Sequence, residues 1–224
     1  MVSHTTTEPF DIDVALERVG EAIAPYPKAA MFELRDQGFG TVFQQLVACV
    51  LSIRTTDEVS LPVSLRLFER AATPEAILAL DGEELIALIY GTSFPGDKAR
   101  TIRDVATAAL TRGGDLPADA EILTAIRGIG PKCAHLAMGV AANAPVIAVD
   151  IHVHRVTNRW SYVAARNPEE TLRGLEAKLP DRWKVEINAR LVPFGKHVCR
   201  GALPRCSTCP LNAMCPKIGV ERHA

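Results

Sequence analysis

Apolar positions along the chain recur at spacings of three and four, the repeat of one helix face. Ile77, Leu80, Leu85, Leu88 and Ile89 share one such stripe, and Ile102, Val105, Ala106, Ala109 and Leu110 share another. Val42–Leu51 is apolar except for Gln44 and Gln45, which predicts a helix buried nearly all round. Helix punctuation agrees with the periodicity. Thr73-Pro74-Glu75 and Asn167-Pro168-Glu169 put proline at a first helical position with an acid behind it, and Arg112-Gly113-Gly114 reads as a stop. An N-terminal helix is expected over Ile12–Ala24, and another near Thr56-Asp57 that carries Pro62 inside it. Proline there removes a hydrogen bond and collides with a carbonyl one turn back, at about 3 kcal/mol, so a bend near Leu61 or a later start is predicted. Apart from Val146–Val149, nothing alternates with period two. The pattern predicts an all-α chain of eight to ten short helices, without repeats.

Composition narrows the class. Of 224 residues, 48% are hydrophobic and 23% charged, a balance typical of a packed protein rather than a disordered one. A chain of this length buries about 70% of its unfolded surface and needs no disulfide staples to fold. No apolar run approaches the roughly 18 residues of a membrane span; the best, Leu136–Val149, is broken by Gly139, Asn143 and Pro145. The N-terminus lacks the basic start and apolar core of a secretory signal. Membrane, secreted and fibrous classes are therefore excluded, and a cytoplasmic location is expected. The formal net charge is −1, but residues 182–224 hold eight Lys/Arg against two acids, while 1–181 hold 17 against 24. Such a basic end on an acidic body is either a solvated surface or a footprint for a polyanion.

Three segments carry chemistry. Cys199, Cys206, Cys209 and Cys215 follow a C-x6-C-x2-C-x5-C spacing punctuated by Pro204, Pro210 and Pro216. Without a secretory signal, four thiols so close point to a metal site rather than disulfides. Structural zinc normally uses two CxxC pairs, whereas one short loop of four thiolates suits a cuboidal [4Fe–4S] cluster. Cys49 and Cys133 sit in apolar helical contexts and are expected to be packing residues. Ile126-Arg127-Gly128-Ile129-Gly130-Pro131-Lys132 joins two apolar helical stretches, Ala120–Ile126 and Cys133–Ala142. Its two glycines permit a tight turn with positive φ, and the helix start behind Pro131 offers N–H groups to a phosphate. Taken alone, an ordinary helix-to-helix turn is the commoner explanation. Asp150, in Val149-Asp150-Ile151-His152-Val153-His154-Arg155, reads on its own as a helix N-cap.

In order and separation these segments resemble the endonuclease III family of base-excision DNA glycosylases, within the helix-hairpin-helix superfamily, over about Gly38–Lys217. The family's Gly-(Val/Ile)-Gly-x-Lys hairpin is matched by Gly128, Ile129, Gly130 and Lys132, its Val-Asp-x-His segment by Val149, Asp150 and His152, and its cysteine spacing by all four thiols. The resemblance implies two helical domains: a helix-hairpin-helix bundle over 34–144, and an iron–sulfur domain formed by 1–33 and 145–224. It implies a [4Fe–4S] cofactor, damaged or abasic double-stranded DNA as partner, a monomer, and association with the nucleoid. It also implies a bifunctional glycosylase and AP lyase that flips an oxidised pyrimidine out of the duplex, because the glycosidic carbon is inaccessible inside the stack. Lys132 is then the nucleophile on C1′, and Asp150 stabilises the oxocarbenium charge and assists proton transfer. At an ordinary lysine pKa near 10.4 the amine is scarcely neutral at pH 7, so a helix start in a partly dry cleft is expected to lower it; a neighbouring carboxylate opposes that.

Departures from the family pattern bear on substrate and rate. Arg54 stands in Ser52-Ile53-Arg54-Thr55-Thr56-Asp57 where the family has glutamine near the gap left by the flipped base. Three readings stay open: it fills the gap, it folds over the pocket onto Asp150, or it meets phosphates. Phe94, in the loop Gly91–Lys98, is either the wedge between bases or a core residue. Pro131 replaces a basic residue and Ile151 a threonine. His152, Lys196, Arg200 and Arg205 are expected at phosphates. The alternatives to the enzyme are a weakly active or inactive DNA-binding paralogue whose pocket Arg54 obstructs, and a regulator holding zinc.

Overall fold

The computed structural model describes residues 10–224, in which twelve α-helices and one 3₁₀ turn account for all regular structure. The helices are α1 (Ile12–Ile23), α2 (Ala30–Asp36), α3 (Val42–Ser52), α4 (Asp57–Arg70), α5 (Pro74–Ala79), α6 (Gly82–Leu88), α7 (Pro95–Leu110), α8 (Ala120–Thr124), α9 (Pro131–Ala142), α10 (Ile151–Arg159), α11 (Pro168–Glu176) and α12 (Glu186–His197), with the 3₁₀ turn at Asp181–Trp183. None of them is long and apolar enough to cross a membrane.

The chain divides into two compact units. One comprises Met1–Pro27, Val149–Pro180 and Arg190–Ala224; the other comprises Lys28–Ala148 and Asp181–Ala189. The second unit is built around α3. Its residues Val42, Phe43, Leu46, Val47, Ala48, Cys49, Val50 and Leu51 are all buried, as the unbroken apolar run predicts. The helix packs against α9, α7, α4 and α2. Thr41 opens it with a reciprocal capping box to Gln44, and the buried Gln45 donates to the Phe39 carbonyl at 2.7 Å. In the first unit, Trp160 forms the centre, with the Phe10 ring stacked at 5.3 Å and Phe194 tilted against it at 6.3 Å. Ala15, Leu16 and Val19 of α1 are buried in that unit, and Arg190 donates to the Leu16 carbonyl.

Two sequence expectations need correction. Among the described residues the helices number twelve rather than eight to ten, in part because the Ile77–Ile89 stripe is two helices: Asp81 accepts the Glu84 N–H at 2.7 Å and caps α6 afresh. A shared apolar face survives such a break, since Ile77, Leu80, Leu85 and Ile89 are all buried, so periodicity cannot reveal it. Leu110, at the end of the other stripe, is exposed. Helix α4 begins at Asp57 and runs through Pro62 to Arg70, so the later start offered as one way to accommodate the proline does not occur.

Candidate functional site

The hairpin joins α8 to α9. Gly128 has φ +85°, and a Cβ there would stand 2.8 Å from the Thr101 hydroxyl, so both conformation and space demand glycine. Gly130 differs. Its φ of −99° suits any residue, and a Cβ on it would meet nothing within 4 Å. It is the N-cap of α9, with Pro131 and then Lys132 opening the helix. Ile129 anchors the turn by burying its side chain, whereas Gly128, Gly130, Pro131 and Lys132 are exposed. The expected helix-start position of Lys132 is therefore present, but the expected drying of its amine is not, because the residue lies in solvent. Behind it, Cys133 pairs with Cys49 of α3 in a disulfide, with Cα atoms 5.7 Å apart. This corrects the expectation that both are mere packing residues: α3 and α9 pack side by side and bring together two cysteines 84 residues apart in sequence.

Arg54 and Phe94 meet within the same unit. The Arg54 guanidinium lies 5.8 Å from the centre of the Phe94 ring, within the range of a cation–π contact. Phe94 is 59% exposed, which excludes the reading that buries it in the core. Both residues are in the left-handed region, at φ +52° and +53°, where bulky side chains are strained. Arg54 and Phe94 sit on neighbouring loops tied by Ser93, whose hydroxyl donates to the Arg54 carbonyl at 2.6 Å and whose N–H donates to the Thr55 hydroxyl at 3.2 Å. Beneath them is Lys98, only 5% exposed, whose ammonium donates to the Leu51 carbonyl at 2.7 Å and the Thr55 hydroxyl at 2.9 Å. Burial pulls its pKa down to about 8.

In the other unit Asp150 is the N-cap of α10, accepting the N–H groups of His152 and Val153 at 2.9 and 2.8 Å. The capping role and a chemical one are compatible, since Oδ1 serves both N–H groups. His152 has its Nδ1 within 3.1 Å of the Arg155 guanidinium, and His154 pairs with the Thr171 hydroxyl at 2.7 Å.

After α12 the chain winds through turns that carry the four free cysteines. All four line one cavity of about 350 Å³, open solvent included, together with Arg159, Trp160 and Phe194. Arg159 is 9% exposed and holds the loop directly, donating to the carbonyls of Arg200 at 2.6 Å and Gly201 at 2.7 Å and approaching the Cys199 sulfur at 3.4 Å. Arg155 adds contacts to the Gly195 and Cys199 carbonyls. Burial pushes the thiols of Cys206 and Cys215 up, and that of Cys209 to about 11. Among the described residues, no three His, Cys, Asp or Glu side chains are grouped as one metal ion would need. Lys196 and Arg200 are half-buried and Arg205 is exposed.

The sequence profile of the family described as HhH-GPD superfamily base excision DNA repair protein matches residues 47–181. Endonuclease III from Thermotoga maritima is 36% identical over 174 residues, covering 77% of this chain and 82% of that protein. This chain belongs to the endonuclease III family of the HhH-GPD superfamily. Endonuclease III-like protein 1 from Bos taurus is 43% identical over 178 residues, 78% of this chain; the match spans 58% of that longer relative. Among solved structures, a trapped endonuclease III–DNA covalent intermediate, an estranged-adenine complex, superposes with a TM-score of 0.77 at 28% identity, over 92% of this chain and 94% of that one. Within the endonuclease III frame, sequence reasoning singled out the hairpin, Asp150 and the thiols. It missed Lys98 and Thr55, Arg155 and Arg159, and the Cys49–Cys133 pair. No local motif marks a buried lysine or arginine; their partners, mostly backbone carbonyls, come together only in the fold.

Proposed function

We propose that this chain is a base-excision DNA glycosylase with AP lyase activity, removing oxidised pyrimidines from duplex DNA through a Schiff base on Lys132. The observation that carries the reading is Lys132 at the open end of α9, two residues after the exposed Gly130, in a chain similar over nine-tenths of its length to an endonuclease caught covalently on DNA. A glycine there that nothing in the protein requires leaves room for a sugar–phosphate backbone, and the helix start offers N–H groups to it. The neutral Lys132 amine adds to C1′ as the N-glycosidic bond breaks and the base leaves with a proton. Opening of the sugar ring gives an iminium. That cation is the electron sink for loss of a C2′ proton and expulsion of the 3′ phosphate, after which water releases the lysine. Asp150 is the carboxylate assigned to the oxocarbenium charge and to the proton transfers.

Gly128, Ile129 and Gly130 form the phosphate-facing turn in this reading, Phe94 is the wedge, and Arg54 occupies the gap beside it. His152, Lys196 and Arg200 face phosphates. Cys199, Cys206, Cys209 and Cys215 would hold a [4Fe–4S] cluster. The residues fit that group: four soft thiol donors line one cavity, and a buried guanidinium that pairs with no carboxylate among the described residues approaches one sulfur, a setting suited to an anionic cluster. When bound, such a cluster cross-links the loop through four thiolates and serves as a structural anchor. The chain's own part is done by Arg159 and Arg155, which fix the loop carbonyls that set the spacing of the thiols.

Borohydride trapping tests the reading. Purified protein is mixed with duplexes carrying an abasic site or thymine glycol. A covalent adduct that Lys132→Ala abolishes is the expected result. No adduct, with tight duplex binding retained, overturns it in favour of the inactive DNA-binding paralogue.

A further inference from the structure

The two residues assigned to the DNA gap and wedge share one support, built from the half-buried Thr55 and the buried Lys98. Thr55 is its node. The Thr55 hydroxyl has one donor and two lone pairs, and all three are used: it donates to the Ile53 carbonyl at 3.3 Å and accepts from Ser93 N–H and from Lys98 Nζ. Lys98 in turn reaches past Thr55 to the Leu51 carbonyl, in the last turn of α3, where the negative end of the helix dipole faces the ammonium. The loop bearing Arg54 and the loop bearing Phe94 are thus held at three points: Ser93 to Arg54, Ser93 to Thr55, and Lys98 to both Leu51 and Thr55.

Such bracing explains the backbone above it. Left-handed conformations at an arginine and a phenylalanine persist only where surrounding contacts over-determine them, and the strain clusters where side chains are aimed at a ligand. The pair they aim is exposed, apolar on one side and cationic on the other, with the guanidinium lying over the ring. A buried lysine bonded to neutral oxygens contributes poorly to folding, because its charge is stripped of water. Its presence is better accounted for by what it positions.

We propose that Lys98 is a positioning residue for DNA entry, locking the Arg54 and Phe94 loops into one rigid unit that inserts into the duplex as a single wedge. The inference rests on the glycosylase reading above for the nature of the ligand, and assigns Lys98 no contact with it.

A binding readout separates the two. A duplex with 2-aminopurine opposite a tetrahydrofuran abasic analogue reports insertion beside the orphan base without any chemistry. Wild-type protein should change its fluorescence on binding; Lys98→Met and Thr55→Val should bind with at most a few-fold loss yet lose most of that change. On cleavable abasic DNA, the same variants should lose at least about five times more kcat/KM on duplex than on single-stranded oligonucleotide, where no stack has to be entered. In an Arg54→Ala/Phe94→Ala background, Lys98→Met should cause no further loss. Thermal melts check folding, and Thr55→Val, nearly isosteric, carries the test if Lys98→Met does not fold. A wild-type fluorescence change retained by both variants, equal losses on the two DNA forms, or additive loss in the double-alanine background each overturn the proposal. A wild-type insertion signal that the variants lose, with no borohydride adduct, supports the wedge and sinks the lyase reading instead.

Discussion

Gly128 and Gly130 are two residues apart and do different work. At Gly128 the positive φ and the 2.8 Å approach to Thr101 mean that alanine strains the backbone and displaces a side chain, a cost of about 1–3 kcal/mol. Urea titration of Gly128→Ala should show that loss. Gly130 is an N-cap with open space before it, and serine is favoured at such a cap. Gly130→Ser should leave stability unchanged or slightly higher, and, under the proposed phosphate-facing role of the turn, should weaken duplex binding by tenfold or more because its side chain would fill the open space in front of the helix start. A second residue-scale prediction concerns Lys98, whose pKa is lowered from 10.5 to about 8 by burial. Above pH 8 the folded protein sheds this proton while the unfolded chain keeps it up to about 10.5, so the unfolded state binds more protons and stability rises with pH across that window. Melting temperatures of wild type relative to Lys98→Met should therefore climb between pH 8 and 10.5 and stay flat below pH 7. The glycines and Lys132 were legible from sequence because a motif of five residues carries them. Lys98 was not, because three-dimensional burial alone distinguishes it from any helical lysine.

Elements show a similar division. Helix α3 was legible nearly whole, since an apolar run of ten residues interrupted only by Gln44 and Gln45 allows little else; its capping threonine was found only in the structure. The Cys49–Cys133 link between α3 and α9 was not, because each cysteine looks like a small apolar residue in its own helix and pairing depends on how the helices pack. In the chain-entropy picture, a cross-link closing 84 residues stabilises by about 4–5 kcal/mol. Denaturation midpoints should fall on adding reductant to wild type, and Cys49→Ser/Cys133→Ser should match reduced wild type and ignore the reductant. If wild type is insensitive to reductant, the two sulfurs act as packing residues after all. Deleting core volume in α3 offers a separate check on the centre of the unit: Leu46→Ala should cost about 2–5 kcal/mol, as its side chain is fully buried.

On the scale of the whole molecule, net charge near zero conceals a basic C-terminal segment, eight Lys/Arg against two acids over residues 182–224. Uniform surface mixing would make that asymmetry irrelevant to binding; a polyanion partner would make it the main source of affinity, through release of counterions from each neutralised phosphate. Salt dependence decides between these. Arg200, half-buried and bonded to the Leu203 carbonyl, and Arg205, exposed beside the cysteine cavity, are placed on the same turn-rich stretch as the four thiols. Arg200→Glu and Arg205→Glu should weaken binding of damaged and undamaged duplexes alike, and each should flatten the slope of log K against log salt by about 0.9 if it removes one phosphate contact. A thermal melt of each variant is the control, because a reversal that disturbs the thiol loop would lower the midpoint, whereas loss of a phosphate contact would not; if the proposed cluster is bound, its visible absorbance serves the same purpose. Unchanged slopes in folded protein would mean that the basic stretch is a solvated surface, and the contacts proposed for the hairpin around Gly130 and for the Arg54–Phe94 pair would then have to account for duplex binding without it.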